Sequence, residues 1–295
     1  MQTKLRKVLT MSWFLKLYNK FSARKYGWHP SWLHESINSF GDDLLEYIKV
    51  FQSKYNLKED GKVGPKTFRI LLTARDEELS KIKNHILIDG RREKIDCNTK
   101  INIIPSNCFR IFRKERKPNM IVTHWDACTS ASKCYRILKA RGISTHFCID
   151  NDGTIHQFVD PNNIAWHAGS PVNKRSIGID FSNAFYTKYN KWYTRKGFKR
   201  RPILIDSRVH GVRLKAHLGF YPEQIESYKK LVKILCEYYN IPKVVPKNED
   251  GTLNTGVVKQ VSKAKFNGIV CHYHITRRKI DCAGLELDKI IDNLN

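Results

Sequence analysis

A β-branched run ends in a histidine at IVTHW, residues 121–125, and a second cluster, CHYHITRRKIDC, follows at 271–282. Both supply side chains able to hold a divalent cation. Hydrolytic zinc sites take three protein ligands from His, Cys and carboxylates and leave a fourth position for water. His124 is one candidate; His272, His274, Asp281 and Cys282 are the others. If the segment NGIVCHYHI is a strand throughout, alternation puts His272 and His274 on one face. A single strand-end histidine is ordinarily a core residue, so the metal reading requires these distant segments to meet.

The elements needed to bring them together are legible in the pattern of apolar residues. MIVTHW, THFCID, TIHQFVD, KRSIGIDFS and NGIVCHYHI read as strands, and FCIDNDGTIHQFVD as a hairpin around an N-D-G turn. YPEQIESYKKLVKILCEYYNIP carries Ile225, Tyr228, Leu231, Val232, Leu235 and Tyr239 at helical spacing, with Pro222 in its first turn. LELDKIIDNL reads as a closing helix. Strands mixed with helices predict an α/β fold with a central mixed sheet flanked by helices over 119–295. Residues 76–118 read as a linker with possible first strands at HILIDG and INIIP. Residues 1–75 read as a basic amphipathic helix followed by a small all-α domain.

Composition narrows the partners. The chain has 295 residues, 41% of them hydrophobic, which is enough for a real core. Lys and Arg number 53 against 28 Asp and Glu, a formal charge of +25 that favours anionic polymers without choosing among them. Eight scattered cysteines without a CxxC pair suit buried thiols in a reducing compartment. No stretch approaches the ~20 apolar residues of a membrane span. The N-terminal KLRKVLTMSWFLKLYNKF has no clear cleavage site and reads as a helix, with Leu5, Val8, Leu9, Trp13, Leu15 and Leu17 roughly on one face. That face is expected to pack on the next domain; a role at a membrane surface is the other reading.

Two resemblances add to this. IKVFQSKYNLKEDGKVGPKTFRIL resembles the type 1 peptidoglycan-binding domain, through Phe51, Gln52, Asp60, Gly61, Gly64, Pro65 and Thr67. From about 119 onward the chain resembles the type 2 N-acetylmuramoyl-L-alanine amidases, which include phage lysozyme-type enzymes and, as a related branch, peptidoglycan recognition proteins. IVTHWDA, ISTHFCIDNDGTIHQFVD, AWHAG, RSIGIDFSNA, IVCHYHI and KIDCAG carry the match.

The resemblance implies a Zn2+ cofactor held by His124, His272 and a third ligand. Counted from His272, Cys282 stands ten positions on, the spacing of the branch that uses Asp. Counted from His274 it stands eight on, the spacing of the Cys branch. Lys279 followed by Asp281 preserves the family's Lys-x-ligand step. His272 with Cys282 is the preferred set, because a thiolate is the stronger zinc ligand. Asp180 is implied as general base, since Thr145 stands where lysozyme-type members have a catalytic Tyr. Lys279 is implied as the oxyanion partner, and His167, Trp166, Trp125 and His146 as residues near the substrate.

The implied reaction is cleavage of the amide between N-acetylmuramic acid and the L-alanine of the stem peptide. A non-catalytic peptidoglycan-recognition protein of the same fold is the alternative. Between Asp180 and the helix at 222, aromatics alternate with Lys and Arg over 184–218, a pattern suited to sugar, to anionic wall polymer or to single-stranded nucleic acid; a solvated insertion with its aromatics folded back on the domain is the preferred reading. Peptidoglycan is the expected partner, anionic envelope polymers a further one, and nucleic acid is not expected. A monomer is expected. The N-terminus suggests a phage endolysin, held in the host cytoplasm until lysis and then acting at the wall, rather than a secreted autolysin.

Overall fold

The structure is a computed structural model that describes residues 2–34, 36–112 and 116–294. The chain forms two compact units. The first runs to Ile82 and includes Leu87–Arg92; the second comprises Lys83–Ile86 and the residues from Glu93 onward.

The first unit contains helices α1 (Gln2–Tyr26), α2 (Asp42–Lys54) and α3 (Pro65–Lys81). Asp42 and Asp43 sit in the first turn of α2, where the helix dipole favours acids, and Pro65 opens α3 where its missing N–H is not needed. Leu44, Leu45, Ile48, Val63, Leu71 and Trp28 form the core. Gln52 explains the polar part of the FQ…DG pattern. Its buried amide donates to Asp60 Oδ1 at 2.9 Å and to the Lys62 carbonyl at 3.0 Å, and accepts from the Gly61 N–H at 2.9 Å. The turn is therefore held by one side chain, and Gly61 at φ +67° lets it close.

Helix α1 docks on the same turn. Asn19 donates to the Gly61 carbonyl and accepts from the Val63 N–H, and Ser22 donates to the Val63 carbonyl. Leu15 and Ala23 pack on the core. Trp13, expected on the packed face, is instead 65% exposed. It stands about 200° round the helix from Leu15, at ~100° per residue. The side chains of Leu5, Val8 and Leu9 lie outside the described residues.

The second unit runs β1 (His85–Ile88) and β2 (Arg91–Lys94), each shared with the first, then β3 (Thr99–Ile101), β4 (Phe109–Arg110), β5 (Met120–Trp125), α4 (Ala131–Arg141), β6 (Phe147–Ile149), β7 (Ile155–Gln157), β8 (Ile164–Ala165), α5 (Val172–Arg175) and β9 (Ser176–Phe181). Then come α6 (Asn190–Arg195), β10 (Ile203–Leu204), β11 (Arg208–Val209), β12 (Val212–Arg213), β13 (His217–Leu218), α7 (Pro222–Tyr239), α8 (Lys259–Ser262), β14 (Gly268–Cys271) and α9 (Leu287–Asp292). Among the described residues, six strands form one mixed sheet in the order β14-β5-β9-β6-β7-β3. The first four are mutually parallel, and β7 turns back antiparallel to β6 as the expected hairpin.

Strands β5 and β9 are interior neighbours and almost wholly buried, which is why their β-branched residues run nearly without interruption. Helix α7 covers one face: Tyr228 bonds Thr123 at 2.6 Å and packs on Phe181, and Asn240 at φ +54° ends the helix. Helix α4 lies over Cys148 and Phe158. Each aliphatic side chain buried here contributes roughly 1.5–3 kcal/mol.

Strand β14 is shorter than its sequence suggests. It ends at Cys271, and His272–His274 coil into a 3-10 turn. Alternation therefore does not carry His274 onto the face of His272.

The aromatic and basic segment over 184–218 folds back on the domain around Arg201. This buried guanidinium lies between the rings of Tyr193 and Tyr221, at 4.6 and 4.2 Å from their centroids. It donates to the carbonyls of Gly219 (2.8 Å) and Ser182 (2.6 Å) and to Asn151 Oδ1.

Candidate metal centre

Register assembles the site. His124 is paired with Asp180, Asp180 with Cys148, and Thr123 with Cys271. Side chains paired across parallel strands share a face, so His124 and Asp180 stand side by side at the carboxyl ends of the strands. His272, one residue beyond Cys271, falls beside His124. Crevices at strand carboxyl ends are the usual place for sites in such sheets.

Three acceptor-capable atoms converge there. His124 Nδ1 lies 3.0 Å from His272 Nδ1 and 3.0 Å from Asp281 Oδ2, and His272 Nδ1 lies 3.1 Å from the same oxygen. All three residues are buried. Lone pairs aimed at one point repel unless a positive charge sits among them. A tetrahedral zinc ion with bonds of ~2.0–2.1 Å holds neighbouring ligand atoms roughly 3.3 Å apart, close to this triangle. The donor set of two imidazoles and a carboxylate suits zinc.

The tautomer of His124 follows from its neighbours. Ser176 Oγ donates to the Val172 carbonyl at 2.8 Å, so it can only accept from His167 Nε2, 3.3 Å away. His167 Nδ1 is then bare and accepts from His124 Nε2–H at 2.9 Å. That leaves Nδ1 of His124 without a proton, its lone pair facing His272 and Asp281. Burial and the neighbouring histidines push His167 well below the usual imidazole range, which keeps it neutral in this relay. Gly178 makes room for it, since a Cβ there would stand 2.8 Å from the His167 ring.

Several sequence expectations change. Cys282 is not in the cluster, and Asp281 takes the third place. The Cys282 thiol is buried beside Cys271, which together with burial pushes it well above its ordinary value. His274 uses Nδ1 to accept from the Cys271 N–H and Nε2 to donate to the Asn254 carbonyl, so both ring nitrogens are spent on backbone. His146 is fully buried, accepting from the Gly178 N–H and bonding the Asn163 carbonyl, and cannot meet a substrate. His167 supports His124 rather than facing a ligand. Trp166 is 37% exposed on the loop before it. Trp125 is half-buried against Phe185 at 4.9 Å. Lys279 is exposed, and its carbonyl accepts from His210.

Asp180 is buried, and burial pushes its carboxyl up to about 7, with His124 pulling the other way. A carboxyl poised there can exchange protons at neutral pH. Arg116 was invisible in its basic run, at the end of the stretch read as a linker with possible first strands. It is buried and donates to the carbonyls of Pro161, Asn163, Asn173 and Ser176. It thus ties down the loop bearing His167, whose N–H is also held by Asn173 Oδ1.

Two family models match parts of the chain. Residues 25–71 match the model described as a putative peptidoglycan binding domain. Curated proteins gave no match. Among solved structures, the chain is similar to the N-acetylmuramoyl-L-alanine amidase LysC from Clostridium intestinale URNW, at 22% identity over 61% of this chain and 87% of that one, TM-score 0.37. It is similar to a mutant endolysin from Bacillus subtilis, at 20% identity over 67% and 99%, TM-score 0.39. It is also similar to the hydrolase AmiA of Staphylococcus aureus, at 10% identity over 68% and 82%, TM-score 0.42. Residues 114–283, a span that holds His124, His272 and Asp281 together, match the N-acetylmuramoyl-L-alanine amidase model, and the chain belongs to that family.

Proposed function

We propose that the protein hydrolyses the amide between the lactyl group of N-acetylmuramic acid and the first L-alanine of the stem peptide, with zinc held by His124, His272 and Asp281. The observation that carries this reading is the buried triangle of three acceptors beside Asp180, in a chain of the amidase family. Bound there, the ion supplies Lewis acidity and an activated water.

The chain's own groups do the rest. Asp180 takes a proton on its carboxylate and returns it to the departing amine nitrogen. Lys279, exposed on the turn leading to Asp281, offers positive charge to the developing oxyanion. Trp166 and Trp125 offer ring faces to the sugar. The helical unit resembling a wall-binding domain raises the local concentration of substrate, and the charge of +25 adds a salt-sensitive attraction to an anionic wall. We assign the protein a wall-lytic role of the endolysin kind, accumulating in a host cytoplasm and reaching the wall at lysis. Expressing cells should then lyse only once their membrane is permeabilised.

Digestion of purified peptidoglycan by the zinc-loaded protein tests the reaction. New L-alanine amino termini with intact glycan strands are expected. New reducing sugar ends, or no product, would overturn the assignment.

A further inference from the structure

Helix α1 has two faces with different fates. One is spent inside its own unit: Leu15, Asn19, Ser22 and Ala23 pack or bond to the turn and core there. Lys16 is also engaged, 2.6 Å from Asp42. The other face is open. Met11 is 66% exposed, and Phe14 and Phe21 are each 57% exposed, with Trp13 at their flank. Lys20, Arg24 and Lys25 lie among them, and the helix contains no Asp or Glu. Buried polar bonds on the first face fix the rotation of the helix, so the aromatics cannot roll inward without breaking them.

We infer that this face binds the surface of a bilayer rich in anionic lipid. Exposed aromatic and thioether side chains flanked by lysine and arginine suit the boundary between headgroups and acyl chains. The rings enter, while the long cationic side chains reach back to the phosphates. A second copy of the same face would set cation against cation. A hydrophilic anionic wall polymer would satisfy the charges but give Phe14, Phe21 and Trp13 nothing to enter. The helix lies along the surface; no helix among the described residues is long and apolar enough to cross it.

The test is sedimentation of the full chain with vesicles of phosphatidylglycerol and phosphatidylethanolamine, against phosphatidylcholine vesicles. The wild type should sediment with the anionic vesicles only, more weakly as salt rises. Phe14→Ser/Phe21→Ser and Lys20→Gln/Arg24→Gln should each lower the partition coefficient about tenfold or more, with circular dichroism and hydrolysis of a soluble muropeptide unchanged. Should the phenylalanine variant lose its helical signal, the charge variant decides. Equal sedimentation with both vesicle types, binding untouched by Phe14→Ser/Phe21→Ser in a folded protein, or dimerisation without vesicle binding would each overturn the inference.

Discussion

His124 Nε2 lies 2.9 Å from His167 Nδ1, and this contact decides which nitrogen of His124 is free to bind an ion. Removing it frees the imidazole to rotate and to take the other tautomer. His167→Ala is expected to weaken zinc binding by about 10- to 100-fold, the usual effect of losing a partner that orients a metal-binding histidine. Competition with a chromophoric chelator measures this directly. Gly178→Ala should reproduce part of the loss, because its added methyl would displace the same ring. Unchanged affinity in both would show that the relay does not hold His124.

The choice between two adjacent residues can be settled by metal content. Asp281→Asn should abolish stoichiometric zinc binding, since it replaces an anionic ligand with a neutral amide. Cys282→Ala should keep one zinc per chain and lose only about 1 kcal/mol of stability, as for the removal of one small buried group. The reverse pattern would restore the thiolate as the ligand.

Asp180 gives a prediction in pH. Its carboxyl is pushed up to about 7 by burial. As a proton acceptor it must be ionised, so kcat/KM should fall as pH drops through an acid limb at or below about 7, a nearby cation only favouring the carboxylate. Asp180→Asn should lose about 10²–10⁴ in kcat while retaining zinc. The linkage has the opposite sign for stability. The folded metal-free protein holds this proton more tightly than the unfolded chain, so its stability should fall as pH rises from about 4 to about 7. Asp180→Asn should flatten that slope in thermal melts.

Arg201 predicts a local effect. Arg201→Met would remove one of two donors from each of the Gly219 and Ser182 carbonyls, which keep Asn183 and Gln224, and would leave the buried Asn151 Oδ1 without its donor, at a cost of roughly 1–3 kcal/mol for that unsatisfied group. Residues 184–218 should then become the first site of limited proteolysis, while the zinc content stays at one.

Most elements were legible because local pattern and tertiary role coincide. The stripe of Ile225, Tyr228, Leu231 and Leu235 can only be a packed helix, and the N-D-G turn can only close a hairpin. His124 could be picked out because it stands at the end of a buried apolar strand, and His272 through the family resemblance of IVCHYHI. The third member of the triangle could not be counted from spacing. The chain leaves extended geometry at His272, and beyond that point neither a period of two nor a thiolate's greater affinity says which side chain turns inward. The role of His167 in orienting His124 and the burial of Arg116 were hidden for a related reason: loops are positioned by the contacts they make, and a buried arginine in a run of basic residues carries no local mark.

Neighbouring strands β5 and β14 come from opposite ends of the second unit, yet the hydrolytic centre requires both. A nascent chain that has emerged only as far as β9 already owns His124 and Asp180 but lacks two of the three atoms needed to grip an ion. The metal site is thus incomplete until the segment carrying β14, His272 and Asp281 has left the ribosome and docked.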